Sequence, residues 1–505
     1  MESGIKVLFL AAEAEPFVKV GGLGDVTGSL PAAIQALAAS SPVSWPEVDI
    51  RLAIPFHGSI QRDLFSLETL LQVDVHSQKG PIQASVFVTN LNGLTVYLIA
   101  GKLIPDDAPV YSGNNRIDGR KFTFFSLAAL EMVRALKWIP DVVHANDWHT
   151  SPAIYKLWLQ KKFGTRDYNT ATLLGLHNLP YLGNGAEKAL AEFDLPPAVG
   201  SGLPSWATHL PLPLGLMSAD HIVAVSPHYA QEIQTPAFGS GLHRFLRRRS
   251  ASISGILNGL DLNRWDPARD LAIPICYDRH HLENRLDNKL ALQREFDLEV
   301  NPEIPLLAIV SRMDPQKGVD LVPPALRLVA GYPWQMIILG TGDSAVEAAA
   351  LGLQAEYPTR TRAILRFDAG LSHRIYAGAD MLLIPSRYEP CGLTQMIAMR
   401  YGCIPVARDT GGLSDTILDV QKSPQGYGFL FHKPTPTALA ATLRRALKTL
   451  PDRTAWQAMQ IRAMEQDFSW ERSAHQYVQL YRHLLDRNER STDLQYDASY
   501  IDSEG

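Results

Sequence analysis

Two doubly wound α/β domains are the architecture this chain predicts, on three observations. Its 505 residues exceed what one core holds, since cores stop growing at roughly 250 to 300 residues. Short apolar runs alternate with amphipathic stretches from end to end, as buried parallel strands joined by crossover helices do. The pattern lapses once, over residues 259–305, where Pro, Asn, Asp and charged residues gather around Trp265 as in an inter-domain linker.

In chain order, KVLFLAA, DIRLAIP, LTVYLIA, DVVHAND, ATLLGLHN and HIVAVSP predict the strands of a first domain, residues 1–258. PLLAIVSR, WQMIILGTG, AILRF, MLLIPS and IPVARDT predict those of a second, residues 306–470. A C-terminal helix is expected over 471–490, where Trp470, Ala474, Tyr477, Val478, Tyr481 and Leu484 fall near helical spacing as a packing stripe. Residues 491–505 are acidic and polar and predict a disordered tail. Ligands bind such sheets at the C-terminal ends of the strands, so the domains are expected to face each other across a deep cleft that holds the chemistry.

A formal net charge of −5 without a basic stripe argues against a nucleic-acid or anionic-membrane partner. Arg247-Arg248-Arg249 reads as a solvated helix end. Three widely spaced cysteines, Cys276, Cys391 and Cys403, fit neither a disulfide framework nor a zinc site and suit a reducing compartment. Glu13 and Glu15 interrupt the first apolar stretch, which is too short and too acidic for a signal segment or membrane span, and a cytoplasmic location is expected.

Five segments carry candidate chemistry. RYEPCGLTQ, Arg387 to Gln395, puts Glu389 and a Pro-Cys-Gly turn between a strand run and a helical run. It reads either as a grip on a sugar phosphate or as a plain strand-turn-helix junction capped by Glu389. Cys391 within it reads as a small buried thiol, with no base beside it in sequence. KVGGLGDV, Lys19 to Val26, follows the first strand; Gly21 and Gly22 clear space for a phosphate at the helix start and Lys19 adds charge. It lacks the glycine spacing of a dinucleotide fingerprint, which argues against a nicotinamide dehydrogenase.

VSRMDPQKG, Val310 to Gly318, sets Arg312 and Lys317 in one strand-end loop, and two fixed cations suit a diphosphate; a solvated loop with Asp314 as partner is the other reading. DVVHANDWHTSP clusters His144, Asp147 and His149, which favour hydrogen bonding over a metal because a closed site needs more ligands. LLGLHNLPY presents His177 and Asn178 at a strand end, either to sugar hydroxyls or as a structural histidine and its neighbour.

In this order, and with ADHIVAVSPHYAQEI, GILNGLDLNRWDP, LGTGD, HRIYAGADMLLIPSRYEPCGLTQ and DTGGLSDTI, the segments resemble the bacterial glycogen synthase and plant starch synthase family over nearly the whole chain. The resemblance implies a glycosyltransferase-B fold and a retaining hexosyltransferase that moves glucose from ADP-glucose to the non-reducing end of an α-1,4-glucan, with no metal or other cofactor. By match to the family, Lys19, Gly21 and Gly22 lie at the donor, Arg312 and Lys317 on its diphosphate, and His177 near the transferred glucose. Glu389 orients the sugar; Cys391, Gly392, Leu393 and Thr394 lie beside it; Asp147, Asn178 and Tyr111 line the site; Phe367 lies at the nucleobase.

Two departures stand out. LPLPLGLMSAD replaces a Phe-Leu-Lys-x-Gly segment, and Arg366 stands before Phe367 where the family has glycine before an aromatic. The rival readings are a catalytically silent glucan- or nucleotide-sugar-binding paralogue, and a nucleotide-sugar epimerase or hydrolase on the same architecture.

Overall fold

The computed structural model describes residues 4–40, 47–107, 109–165 and 169–501. They form two compact units. The first contains Met1–Val225, Ala230–Gly259 and Trp470–Gly505, the second Ser226–Tyr229 and Leu260–Ser469.

The first unit is built on strands β1 (Ile5–Leu10), β2 (Val48–Pro55), β3 (Glu68–Val75), β4 (Ile82–Leu91), β5 (Leu94–Gly101), β6 (Val142–Asn146), β7 (Ala171–Leu176), β8 (His221–Ala224) and β9 (Ile253–Gly255). Their order across the sheet is β3-β4-β5-β2-β1-β6-β7-β8-β9. From β5 to β9 every pairing is parallel, and β6, β7 and β8 are buried throughout, which is why they read as unbroken apolar runs. β3 and β4 pair antiparallel at the edge; they alternate polar and apolar residues and so contain no continuous apolar run to mark them in the sequence.

In the second unit β10 (Leu306–Val310), β11 (Gln335–Leu339), β12 (Thr361–Ile364), β13 (Met381–Ile384), β14 (Ile404–Arg408) and β15 (Phe429–Phe431) run in the order β12-β11-β10-β13-β14-β15, all parallel. In both sheets the chain leaves its first strand in one direction and later returns to that strand's other side. The switch points are therefore β1/β6 and β10/β13, and the loops after these four strands are where a ligand site is expected.

Two boundaries differ from the sequence expectation. Residues 260–305 belong to the second unit instead of forming a free linker: helix Arg285–Glu295 packs on helix Ala369–Gly378, and buried Arg285 donates to the carbonyls of Tyr401, Tyr376 and Ala379. Lys289 pairs with Asp380 at 2.8 Å, and the Tyr277 hydroxyl donates to Tyr401 O at 2.7 Å. The polar residues that suggested a linker saturate backbone groups at the ends of the unit's own helices. The C-terminal helix runs Trp470–Ile501, beyond the expected 471–490, because no Gly or Pro interrupts it, so the tail expected from 491 is helical as far as Ile501; residues 502–505 lie outside the described residues.

That helix closes the first unit, although the second unit precedes it in the chain. Trp470, Ala474, Tyr477, Val478, Tyr481 and Leu484 all enter the same apolar cluster as β1, β2 and helix Gly22–Ser40. Tyr481, fully buried, shares a 2.8 Å hydrogen bond with Nδ1 of His144 on β6, and Tyr477 stacks on the same imidazole. Tyr481→Ala is expected to cost about 3 to 5 kcal/mol of stability in urea titrations, and Tyr481→Phe about 1 kcal/mol. Wild-type stability for the alanine variant would contradict this account of the helix.

Candidate active site

At the first switch point the loop after β1 turns through Glu13, Lys19 and Gly21 before helix Gly22–Ser40 begins. Glu13 is 1% exposed, and its Oε2 accepts the backbone N–H groups of Val20 and Gly21, the latter at 3.2 Å. Its Oε1 accepts the Tyr111 hydroxyl at 3.2 Å. A Cβ at Gly22 would meet nothing within 4 Å, and neither Gly21 nor Gly22 has a positive φ. Packing and backbone conformation do not require these glycines, and the space before the helix is open. Lys19 is not free: its ammonium pairs with Asp25 and, at 3.3 Å, with Glu15. The Gly21 N–H is likewise taken by Glu13.

Tyr111 is held from behind by a buried ion pair. Lys121 and Asp118 lie 3.0 Å apart; Lys121 donates to the carbonyls of Val110 at 2.6 Å and Pro109 at 3.3 Å, and Asp118 accepts the Ser112 N–H. Burial lowers the pKa of Lys121, against the opposing pull of Asp118. The Tyr111 ring packs near His149 and Phe122, at centroid distances of 5.3 and 6.2 Å.

After β6 the chain passes Asn146 into helix Asp147–Lys162 with Asp147 at φ 54°, a strained left-handed conformation for a non-glycine residue. That conformation lets buried Oδ1 of Asp147 accept two successive N–H groups from the loop after β7, His177 at 2.7 Å and Asn178 at 3.3 Å. The Asn146 amide donates to Leu10 O at 2.9 Å, and its Oδ1 lies 2.8 Å from His177 Nε2, so Nε2 carries the proton and Nδ1 is an acceptor. A Cβ on Gly175 would sit 2.6 Å from Asn146 Oδ1, which explains the glycine two residues before His177. Asn178 Oδ1 is buried and has no hydrogen-bond partner.

At the second switch point the loops after β10 and β13 are stitched together. Lys317 Nζ donates to Glu389 Oε2 at 2.7 Å, and the Ser386 hydroxyl donates to the same oxygen at 2.8 Å. Arg387 forks onto Asp320 at 2.8 and 2.7 Å, its N–H donates to Gln316 O at 2.7 Å, and Gln316 returns a bond to Tyr388 O at 3.2 Å. Gly318 has φ 64°, and a Cβ there would lie 2.2 Å from Pro385 O, so only glycine allows the loops to close. Arg312 points outward with its side chain 61% exposed, steadied by Asp314 at 3.2 Å. The turn Cys391-Gly392-Leu393 leads into helix Thr394–Arg400; Gly392 has φ 74°, and Gln395 donates to Cys391 O and Gly392 O, each at 2.9 Å. Cys391 is buried, as a small packing thiol is, and Gly412 donates its N–H to Glu389 O at 3.0 Å.

Residues 6–248 match the starch synthase catalytic domain family and residues 293–460 the glycosyl transferases group 1 family. The chain is 37% identical over 490 residues to a glycogen synthase of Clostridium perfringens, covering 95% of this chain and 98% of the relative. It is 39% identical over 491 residues to a glycogen synthase of Anaeromyxobacter sp., covering 95% and 100%. The catalytic domain of starch synthase IV from Arabidopsis thaliana, bound to ADP and acarbose, superposes with a TM-score of 0.85 at 30% identity, covering 96% of this chain and 100% of that one. The chain belongs to the glycogen synthase and starch synthase family, and its two Rossmann-like domains are those of the glycosyltransferase-B fold.

Against the family pattern, both departures have a visible basis. In place of the family's Phe-Leu-Lys-x-Gly segment, Pro211–Ser218 is a short helix buried except at Met217, and Pro211 and Trp148 both pack around Gly183. Arg366 pairs with Asp368 at 2.9 Å, and Phe367 is 88% exposed after β12, with no second-unit side chain covering it. The residues that sequence reasoning missed are Glu13, Asn146 and Ser386. Glu13 was noted only as a charge interrupting an apolar run; an acid at the end of the first strand, just before a glycine turn, was the available signal.

Among the described residues no group of three or more His, Cys, Asp or Glu is arranged to hold a metal. His144 is tied to Tyr481, and His149 packs within a ring of Tyr111, Phe122 and Trp148. Burial pushes the imidazoles of His144 and His149 down to about 3 and those of His57 and His221 to about 4, and lowers that of His177, while it raises the carboxyls of Glu13 and Asp147. These histidines stay neutral in the folded chain but protonate near 6.5 when unfolded, so their stabilising effect is complete above pH 6.5 and is lost as pH falls from there to about 4 for His57 and His221 and to about 3 for His144 and His149. Each adds a slope of up to about 1.4 kcal/mol per pH unit. Urea unfolding at pH 7.5 and pH 5 is expected to show clearly lower stability at pH 5; equal stabilities would contradict the burial of these groups as neutral imidazoles.

Proposed function

We propose that this chain is a glycogen or starch synthase: it transfers glucose from ADP-glucose to the non-reducing end of an α-1,4-glucan with retention of anomeric configuration. The observation that carries the reading is the Lys317–Glu389 pair at the second switch point, with Arg312 in the same loop. It joins a carboxylate suited to orient a polyol to one cation suited to a diphosphate, and the same loop carries a second. The nucleotide-bound starch synthase IV relative and the glycogen synthase relatives support the same donor and acceptor classes.

Breaking the bond between the anomeric carbon and the diphosphate oxygen leaves negative charge on the leaving group. Arg312 and Lys317 stabilise that charge more than the ground state, which lowers the barrier. Lys19, once released from Asp25 and Glu15, adds a third positive charge, and the open helix start at Gly22 adds peptide N–H groups. Glu389, fixed by Ser386 and Lys317, binds sugar hydroxyls. His177 and Asn178, oriented through Asn146 and Asp147, carry the glucose on the first unit, and the His177 backbone faces the positive charge that develops on the sugar. The acceptor hydroxyl attacks from the face the diphosphate leaves, and the leaving phosphate oxygen takes its proton. Neutralisation comes from side chains, so the reaction proceeds without a metal or other cofactor.

A cytoplasmic site of action belongs to the same proposal and is supported by Cys276 and Cys403, which form no disulfide; among the described residues no helix is long and apolar enough to cross a membrane.

Incubation with ADP-glucose and a maltooligosaccharide is expected to release ADP and lengthen the glucan, faster than with UDP-glucose and unaffected by EDTA. No extension would favour a silent binding protein, free sugar without extension would favour a hydrolase, and a clear preference for UDP-glucose would contradict the donor assignment. Arg312→Ala is expected to lower kcat by about 100- to 1,000-fold, the usual effect of deleting one preorganised donor. Wild-type turnover in that variant would remove Arg312 from the leaving-group site.

A further inference from the structure

The first switch point contains a buried acid to which neither the resemblance nor the proposed reaction gives a role. Glu13 is 1% exposed and all its hydrogen-bond partners are donors: the N–H groups of Val20 and Gly21 on Oε2 and the Tyr111 hydroxyl on Oε1. Two of these partners are backbone N–H groups, which can only donate, and both meet Oε2, so that oxygen serves as an acceptor. A buried ionised acid is costly unless its oxygens are saturated, and here the loop that follows β1 supplies that saturation.

The partners come from two segments far apart in sequence. Val20 and Gly21 form the turn that opens helix Gly22–Ser40, next to Lys19. Tyr111 comes from the segment before helix Asn115–Ala135, where Lys121 and Asp118 grip its neighbours. Glu13 is thus the group that ties the glycine turn to the Tyr111 segment. The fit is tight: a Cβ on Gly24 would lie 3.3 Å from Oε2 and 3.2 Å from Lys19 Cγ.

We infer that Glu13 is a positioning residue for the nucleotide donor: its carboxylate fixes the Val20–Gly21 turn and the Tyr111 hydroxyl together, and so sets where the Gly22 helix start and Lys19 meet the diphosphate. The inference rests on the donor assignment given above. A purely structural role would disturb donor and glucan alike, whereas positioning of the Val20–Gly21 turn and Lys19 acts on the donor alone.

The test measures ADP affinity by calorimetry, KM for ADP-glucose and for a maltooligosaccharide, and melting temperature, in wild type, Glu13→Ala and Glu13→Gln. Alanine leaves three donors without an acceptor; glutamine keeps the size and one acceptor oxygen, and is the variant to rely on if alanine fails to fold. Loss of a charged hydrogen-bond acceptor of this kind is expected to weaken ADP binding and raise the ADP-glucose KM about 10-fold or more in Glu13→Ala, and by a smaller factor in Glu13→Gln, with the glucan KM unchanged. Wild-type ADP affinity and ADP-glucose KM in both variants would overturn the inference. So would a parallel rise of both KM values with a lowered melting temperature, which would assign Glu13 to folding alone. A wild-type chain that binds ADP but never turns over ADP-glucose would sink the proposed reaction instead, and the ADP affinities of the variants would still decide the role of Glu13.

Discussion

One ammonium held against one buried carboxylate, Lys317 on Glu389 at 2.7 Å, is the contact on which the second unit's site depends. The two residues come from loops after neighbouring strands, β10 and β13, that are far apart in sequence, and each would otherwise be placed only by its own turn. With both groups largely withdrawn from water, separating them leaves an unpaired charge, a large penalty compared with that of an exposed pair. The pair therefore fixes the spacing between the acid of one loop and the cation of the other. The Arg387–Asp320 fork and the Gly318 turn secure the same spacing from outside.

The first unit uses the same device with different atoms. Glu13 and Asp147, both buried, each accept two successive backbone N–H groups, Glu13 from further along its own loop and Asp147 from the loop after β7, and each follows one of the two strands that flank the switch point. Topology brings the loops to one edge of the sheet; buried carboxylates then set their conformation. The strain at Asp147 and the glycines at 175 and 318 are local costs of that close approach, offset by the packing of the wholly buried strands beneath.

The strands of both sheets and their parallel class were legible because strands covered on both faces must be apolar along their whole length. Glu389, Lys317, Arg312 and His177 were legible because each stands at the end of such a run. The edge pair β3 and β4, half exposed, left only an alternating pattern. Residues 260–305 were misread because polarity in sequence does not distinguish a solvated linker from groups that saturate helix ends, as Arg285 does. The pairing of Lys19 with Asp25 and Glu15, and the hold of Glu13 on Gly21, depend on the path of one loop, which no periodicity encodes.

The most direct test of the central claim is a double-mutant cycle on kcat for glucan extension, with Lys317→Ala, Glu389→Ala and the double variant. If ammonium and carboxylate act as one positioned unit, each single change costs nearly as much as both together, with a coupling of about 1 kcal/mol or more. Losses that simply add would contradict the account, because the two groups would then work independently.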